Sequence, residues 1–441
     1  MSKPLLAPSF VPMLAGFSEC FTAPSFATFQ HIVAGWILCV GRHTVTGVLR
    51  ASGAVGQKHH TSFHRFFRSA VWNFDAVSLS LIGLVMTLLP TDETILVPLD
   101  DTLGRHTGKH IRAASMHHDP LLSTRVKPVF HWGHVWVVLS IAVRVPLWKK
   151  NFALPVLVRL YRSEKLCKKE RRRFLKKTEL AAEMIGLLAK ALPERRFCVV
   201  ADAAYANASI IKKLPTNVNF IGRSRLDAAL YAQPQPQRLG RPRVKGARVA
   251  SPLTRARCAK GWRRLRVEVY GRTVTVQVKV FDALWYVVSG GRLLRFVLVR
   301  GWPGHRNDDV FCSTDLCLNA EAIITDYCVR WCIECTFQET KGKLGFEDPQ
   351  NRTQRAVERT APMALCIYTL TVVWYFQVGN RLRSACLPSF PWYTKTVPAF
   401  SDMLAALRRE TWRHGLLDPL HLTRRHQKSV APLLDAVAYA A

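Results

Sequence analysis

Acidic side chains are scarce in this chain: 30 Asp and Glu stand against 63 Lys and Arg in 441 residues, a formal net charge of +33. A field of that sign repels cations and attracts polyanions, so nucleic acid is the leading partner and an anionic membrane surface the rival. Charge as a whole is also sparse, at 21% against 49% hydrophobic residues with 12 Trp and 22 Phe, which excludes extensive disorder. Cysteine is not crowded. The 12 residues are scattered through a long chain, which excludes a disulfide scaffold and reads as reduced thiols. Cys332 and Cys335 are separated by two residues, but they flank Glu334 in a helical pattern and no second pair lies at finger spacing, so they read as structural cysteines rather than a zinc site. The N-terminus also reads as poor signal-peptide grammar, so secretion is not expected: Pro4, Pro8 and Pro12 break the first apolar stretch and Glu19 follows it. Residues 360–380 carry no formal charge, yet their strongly apolar part, Met363 to Phe376, is shorter than the ~18 residues a bilayer needs. A buried helix is predicted there, and no membrane partner.

What is present suits about three structural units at ~150 residues each. The first ninety residues read as helical, with apolar runs from Phe26 to Trp36 and from Ala76 to Leu89 and Pro90 closing the second. From Thr94 the grammar changes to strands at Ile95–Leu99, Val135–Val143 and Leu154–Leu160. A helix capped by Thr178 follows, then strands at Phe197–Ala201 and Asn217–Ile221 around a short helical stretch near Ala208 to Leu214. Three strands followed by alternating helix and strand predict a mixed α/β sheet. Gln233 to Gln237 reads as an extended linker, and residues 264–300 read as an antiparallel β insertion with strands including Leu284–Val288. A long helical pattern runs from Asn319 to about Leu344.

Two basic runs mark the polyanion footprint. Arg238 to Arg272 holds twelve basic residues against Glu268 alone, and Arg162 to Lys177 holds nine against Glu164 and Glu170. Either run alone could be a solvated face, but both in one strongly basic chain point to phosphate contact.

Three acids stand where an α/β sheet displays its chemistry. Asp100 and Asp202 each follow a predicted strand, and α/β sites form beyond strand C-termini. Glu334 lies on the later helix. At ~100° per residue, Tyr327, Arg330, Glu334 and Lys341 fall within about 60° of one another, whereas Glu339 lies about 140° from Glu334. A solvated charged stripe would give the same spacing.

The combination Tyr327-x2-Arg330-x3-Glu334-x6-Lys341 resembles the Tyr-Arg-Glu-Lys signature of bacterial insertion-sequence transposases in the DDE superfamily, those with a β-rich insertion before the last acid. Leu99-Asp-Asp-Thr102 resembles the first-acid motif, Val200-Ala-Asp-Ala-Ala-Tyr205 the second, Ser313-Thr-Asp-Leu316 the strand before the signature helix, and Cys332 to Gly345 the helix itself. The resemblance spans roughly residues 60–410.

It implies a ribonuclease-H-like mixed sheet with helices, interrupted by an antiparallel β insertion and flanked by helical N- and C-terminal regions. The expected divisions are a helical DNA-binding region over 1–90, core over 91–225, basic linker and β insertion over 226–307, core with the signature helix over 308–380, and a helical basic region over 381–441. Asp100, Asp202 and Glu334 are then the catalytic residues and the ligands of two Mg²⁺ ions, for which Mn²⁺ can substitute; carboxylates without His or Cys suit such hard cations. Asp100 is preferred to its neighbour Asp101 because it stands two before Thr102, as in the family pattern. Tyr327, Arg330 and Lys341 are expected to contact phosphates beside the scissile bond, and Trp262, Arg263 and Arg264 to bind DNA from the insertion, with Trp262, Trp285 and Trp302 able to stack on an extruded base, although a core role is the default for Trp285. His117-His118-Asp119 is read as a loop or DNA-facing segment rather than a metal site. The implied partners are double-stranded DNA, as terminal inverted repeats and target, and a second copy of the chain, in a bacterial cytoplasm at the nucleoid. A nuclease that cuts without strand transfer and a non-catalytic DNA-binding derivative are the alternatives.

Overall fold

Polar caps and prolines punctuate the first ninety residues. In the computed structural model, which describes residues 4–440 apart from 120, 121, 125, 146–149, 237–241, 303, 305, 306, 383, 384, 386 and 418–423, they form five helices. These are α1 (Val11–Ala15), α2 (Ala23–Leu38), α3 (Val45–Ala51), α4 (His60–Arg68) and α5 (Phe74–Met86). Pro24 stands in the first turn of α2, the Thr44 hydroxyl accepts the Gly47 amide to open α3, and the Asn73 side chain accepts the Asp75 amide to open α5. The two apolar runs read from the sequence fall on α2 and α5. Part of the linker and basic run, Gln237 to Arg241, lies outside the described residues.

The sheet then begins with β1 (Ile95–Arg105), β2 (Ser115–His118), β3 (Phe130–Val145) and β4 (Lys150–Tyr161), followed by α6 (Glu164–Lys169), α7 (Lys177–Ala191), β5 (Phe197–Ala201), α8 (Ala208–Ile211) and β6 (Val218–Arg223). β3 is antiparallel to both β1 and β4, whereas β5 runs parallel to β1 and β6 parallel to β5. Read across, β4-β3-β1-β5-β6 is three antiparallel strands followed by two parallel ones, the ribonuclease-H-like mixed α/β order.

The insertion comprises β7 (Leu230–Tyr231), β8 (Arg248–Val249), α9 (Pro252–Arg257), β9 (Arg263–Val269), β10 (Arg272–Ala283), α10 (Tyr286–Ser289) and β11 (Leu294–Arg300), and β12 (Asp309–Ser313) follows it. It is continuous with the core. β12 pairs antiparallel with β6, and β11, β10 and β9 continue outward, so one ten-stranded sheet runs from β2 to the β9 edge. The strand expected at Leu284–Val288 is instead the short helix α10. Leu284 closes a bridge with Tyr231, and Gly290, at φ 62°, then turns the chain back into β11.

Three further expectations are corrected. Asp100 does not end its strand, because β1 continues to Arg105 beside β3 after β5 has stopped. α7 starts at Lys177, with Lys176 at the cap position, where its amide is satisfied by the Glu179 carboxylate at 2.8 Å, so Thr178 is not the cap. The single helix expected from Asn319 to Leu344 is two, α11 (Ala320–Val329) and α12 (Trp331–Lys343), meeting at Arg330. At the junction the Arg330 amide bonds the Tyr327 carbonyl and the Ile333 amide bonds the Arg330 carbonyl, both tight i to i+3 contacts.

The chain continues with α13 (Gln354–Gln377), a hairpin of β13 (Ser389–Phe390) and β14 (Tyr393–Thr394), α14 (Phe400–Trp412) and α15 (Arg424–Ala438). α13 contains the strongly apolar part of the uncharged stretch, Met363 to Phe376, and is the buried helix predicted there, with Met363, Ala364, Ile367, Leu370 and Trp374 fully buried. Among the described residues no helix is long and apolar enough to cross a membrane.

Alternation along the central strands separates two cores. Val97, Leu99, Val199 and Ala201 join the main core with α5 and α7; Cys198, Val200 and Ile221 join a second core with α11 and the β9–β10 hairpin.

Candidate active site

Strand register places the first two acids side by side. The last paired residues of the parallel β1 and β5 are Leu99 and Ala201, so Asp100, still on β1, and Asp202, the first residue after β5, occupy the next positions. Neighbouring strands lie ~4.8 Å apart and paired positions share a face. Burial raises the Asp100 carboxyl to about 7, against the pull of the Arg330 guanidinium, and the charges of Asp101 and Asp202 push it the same way. The Asp202 side chain accepts the Ala204 amide at 2.9 Å, which fixes the turn after β5.

Asp101 belongs to the opposite face. Its carboxylate accepts the Tyr205 hydroxyl at 2.8 Å and the Lys177 ammonium at 2.6 Å, and both partners lie on the α7 side. Asp100 faces α11 and α12, where Arg330 donates to it at 2.6 Å. Of the two adjacent acids, Asp100 is the one bonded to Arg330.

The break at Arg330 brings in the third acid. The guanidinium of Arg330 donates through Nη1 to Asp100 and through Nη2 to Glu334 at 2.8 Å, so one planar fork joins a strand acid to a helix acid. Asp100 and Arg330 are 17% and 14% exposed at the side chain, and Glu334 36%, which leaves the last as the group open to solvent. Tyr327 is buried against Phe311, ring centroids 4.6 Å apart, and its ring lies 5.9 Å from the Arg330 guanidinium. Lys341 donates to the Leu103 carbonyl at 2.7 Å and pairs with Glu347 at 3.5 Å; burial lowers its pKa and Glu347 opposes that shift. Arg330 and Lys341 therefore bond the C-terminal half of β1, and Glu334 joins it through Arg330. Glu339 turns away, into a cleft of about 1130 Å³ that it lines with Lys150 and Cys335.

The end of α12 is fixed by Gly345 at φ 56°, where a Cβ would lie 2.6 Å from His43 Cβ and 2.3 Å from the Asp348 carboxylate. The His43 amide donates to Asp348 at 2.7 Å and the Trp36 indole to the Leu344 carbonyl at 2.9 Å, so the N-terminal helices hold the helix that carries Glu334.

The sequence family described as DDE superfamily endonuclease matches residues 16–279, more than half of the chain and including Asp100 and Asp202. The chain belongs to that family. Glu334 and the rest of the signature helix lie beyond the matched residues. No curated protein matches the chain. Among solved structures, a cryo-EM structure of piggyBac transposase in a synaptic complex with hairpin DNA is similar at a TM-score of 0.42 and 9% identity, covering 98% of this chain and 82% of that one.

DDE endonucleases depend on divalent metal, and the donor chemistry here fits: Asp100 and Asp202 present hard oxygens on one face, with Glu334 beyond the Arg330 fork. Among the described residues, no group of three or more His, Cys, Asp and Glu side chains is gathered as a finished metal cage, and the Arg330 guanidinium bridges Asp100 and Glu334. Cys332 is buried and Cys335 exposed, and every described cysteine is a free thiol. His117 and His118 lie in β2 rather than in a loop, with His117 buried and bonded to Ser115 at 2.8 Å, while Asp119 pairs with Arg105 at 2.7 Å.

The insertion's candidates divide by exposure. Arg263 and Arg264 are exposed on the edge strand β9. The Trp262 ring carries two cations, Arg300 at 4.3 Å and Lys279 at 4.8 Å, and its indole donates to Cys258 at 3.1 Å. Trp285 and Trp302 are buried, Trp302 against Phe311, so as folded neither offers a face to a base. Sequence reasoning did not single out Lys177 or Tyr205 as partners of Asp101, although Tyr205 closes the motif around Asp202 and Lys177 ends the second basic run.

Proposed function

We propose that this chain is a DNA transposase of insertion-sequence type, which cleaves the ends of its element and joins the freed 3′-hydroxyls to target DNA. The reading is carried by one observation: Asp100 lies on β1 one position beyond its pairing with β5, Asp202 directly follows β5, and α12 brings Glu334 to Asp100 through the guanidinium the two share. The bacterial lineage rests on the spacing of Tyr327, Arg330, Glu334 and Lys341, and with it a cytoplasmic, nucleoid-associated setting.

Asp100, Asp202 and Glu334 would hold two Mg²⁺ ions, or Mn²⁺ in their place. Bound there, such ions supply charge stabilisation to the attacking and leaving oxygens of an in-line displacement at phosphorus. The protein's own part is placement. Arg330 can exchange its carboxylates for a phosphate beside the scissile bond, Lys341 adds charge along β1, and the Tyr327 hydroxyl supplies a hydrogen bond. Arg263 and Arg264, with the cation-flanked Trp262, extend the basic surface along the insertion, and the exposed Lys168, Lys169, Arg171 and Arg173 extend it beyond β4. Pairing two element ends calls for two sites, hence a homodimer on DNA.

Asp202→Asn and Glu334→Gln test the reading on a duplex carrying the terminal repeats, with a target plasmid present. Each is expected to abolish Mg²⁺-dependent cleavage while duplex binding persists; unchanged cleavage would sink the assignment. Cleavage without joined plasmid would reduce the activity to a nuclease. A second reading, a DNA-binding protein without strand chemistry, is favoured by the ion pairs that commit Arg330 to Asp100 and Glu334. It predicts binding with no cleavage in the wild-type chain.

A further inference from the structure

We propose that Tyr205, with Lys177, is a positioning residue of the acid site: together they hold both oxygens of Asp101 on the α7 face and so fix the strand segment from which Asp100 projects to the other face. The inference rests on the proposed function and adds to it residues that touch neither substrate nor metal. Asp100 and Asp101 are consecutive on one strand, so any twist of β1 that releases Asp101 from one face turns Asp100 on the other. β1 is vulnerable to twisting at this point, because its partner β5 ends at Ala201 and only β3 accompanies it further. Asp101 is the anchor on the α7 face there. Its Oδ1 accepts the Tyr205 hydroxyl at 2.8 Å and its Oδ2 the Lys177 ammonium at 2.6 Å.

Tyr205 also reaches the second acid. Its amide donates to the Asp202 carbonyl at 3.2 Å, closing the turn in which Asp202 also accepts the Ala204 amide. A single residue, 1% exposed, thus bonds the strand of the first acid through its side chain and the turn of the second through its backbone. Lys177 is placed by the start of α7 and lies 5.7 Å from the Tyr161 ring at the end of β4, so the clamp draws on three neighbouring elements. Groups bonded directly to metal ligands typically govern 10–100-fold in metal affinity or activity, and Tyr205 and Lys177, acting one residue further back, are expected at the low end of that range.

Mn²⁺ binding to the full-length chain, followed by the electron paramagnetic resonance signal of the free ion, tests this without knowledge of the terminal repeats. Tyr205→Phe removes only the hydroxyl and is expected to weaken Mn²⁺ binding about tenfold. In an Asp101→Ala background the same change is expected to have no further effect, because the hydroxyl acts through Asp101. Lys177→Met provides a second variant at the other oxygen, with thermal melting recorded for all. Full Mn²⁺ affinity in both Tyr205→Phe and Lys177→Met would overturn the inference, as would an equal loss from Tyr205→Phe with and without Asp101. The acids themselves separate this from the reading beneath it. If Asp100→Asn and Asp202→Asn leave Mn²⁺ binding intact, the acid site itself is misassigned; if they abolish it while Tyr205→Phe does nothing, only the positioning role fails.

Discussion

Asn substitution at Asp100 and at Asp101 should give opposite patterns of stability and activity, although the residues are adjacent. At pH 8 the Asp100 carboxyl, raised to about 7, is mostly ionised and largely desolvated. Replacing it by Asn relieves that desolvation but leaves Arg330 paired with Glu334 alone, so the two effects offset to within about 1 kcal/mol. Asp101 is different, because it accepts two hydrogen bonds, from Lys177 at 2.6 Å and Tyr205 at 2.8 Å. Charge-assisted bonds contribute roughly 1.5–3 kcal/mol, but Lys177 is 38% exposed and screened, and Asn still accepts from Tyr205. A net loss of about 1–2 kcal/mol follows for Asp101→Asn, a melting temperature lower by a few degrees. Cleavage should reverse the ranking, falling more than about a hundredfold in Asp100→Asn and about tenfold in Asp101→Asn. Melting curves and single-turnover strand cleavage on the same preparations provide the measurement. Near-normal cleavage by Asp100→Asn, with Asp101→Asn inactive, would place the wrong acid on the site face and refute the register argument.

Acid should destabilise the fold through its buried histidines. Burial, the first cause, lowers His43 to about 4 and His134 to about 3, so between those values and 6.5 the unfolded chain binds more protons and stability falls as pH falls; urea midpoints from pH 7 to 4.5 should drop, and less so in His134→Gln. Gly345→Ala should cost about 1–2 kcal/mol from the left-handed backbone, more if His43 cannot move aside, and slow cleavage because α12 is displaced, both read on one preparation. Arg408 is buried and donates to the carbonyls of Ile37, Cys39, Ala438 and Ala440, so Arg408→Met should cost about 3–5 kcal/mol in chemical denaturation and free α15 to proteolysis. Arg263→Gln with Arg264→Gln should reduce the slope of log Kd against log salt by about 2 on duplex DNA of any sequence.

Much of this was legible because period and chemistry coincide. Continuous apolar runs gave β3 and β4, the run ending at Ala201 gave β5, and the spacing of Arg330 and Lys341 gave a shared face that β1 receives. What stayed hidden depends on partners distant in the chain. β1 outruns Leu99 because β3 continues beside it, and nothing local to Leu99-Asp-Asp-Thr102 encodes that neighbour. The helix break at Arg330 has no Pro or Gly to announce it; it is a residue held by Asp100, 230 positions away. The run Leu284–Val288 has β-forming residues throughout, yet β10 already supplies the strand and the chain must reverse before β11.

The insertion shows how such distant partners reach the site. Had it folded as a separate module, Glu334 would hang on a helix joined to the core only by loops. Instead β12 pairs with β6, so the strand entering α11 is fixed in the same sheet that carries Asp100 and Asp202. The β9–β10 hairpin then packs under α11, and its tip, Tyr270 at φ 51° before Gly271 at φ 75°, sets the Tyr270 ring edge-on to Trp331, 6.1 Å between centroids. A bulky residue in a left-handed turn costs roughly 1–2 kcal/mol, which hairpins ordinarily avoid by using Asn or Asp there. Trp331 directly follows Arg330, so the strained tip braces the residue at which α11 passes into α12. The β insertion is thereby part of what aims Arg330 and Glu334 at β1.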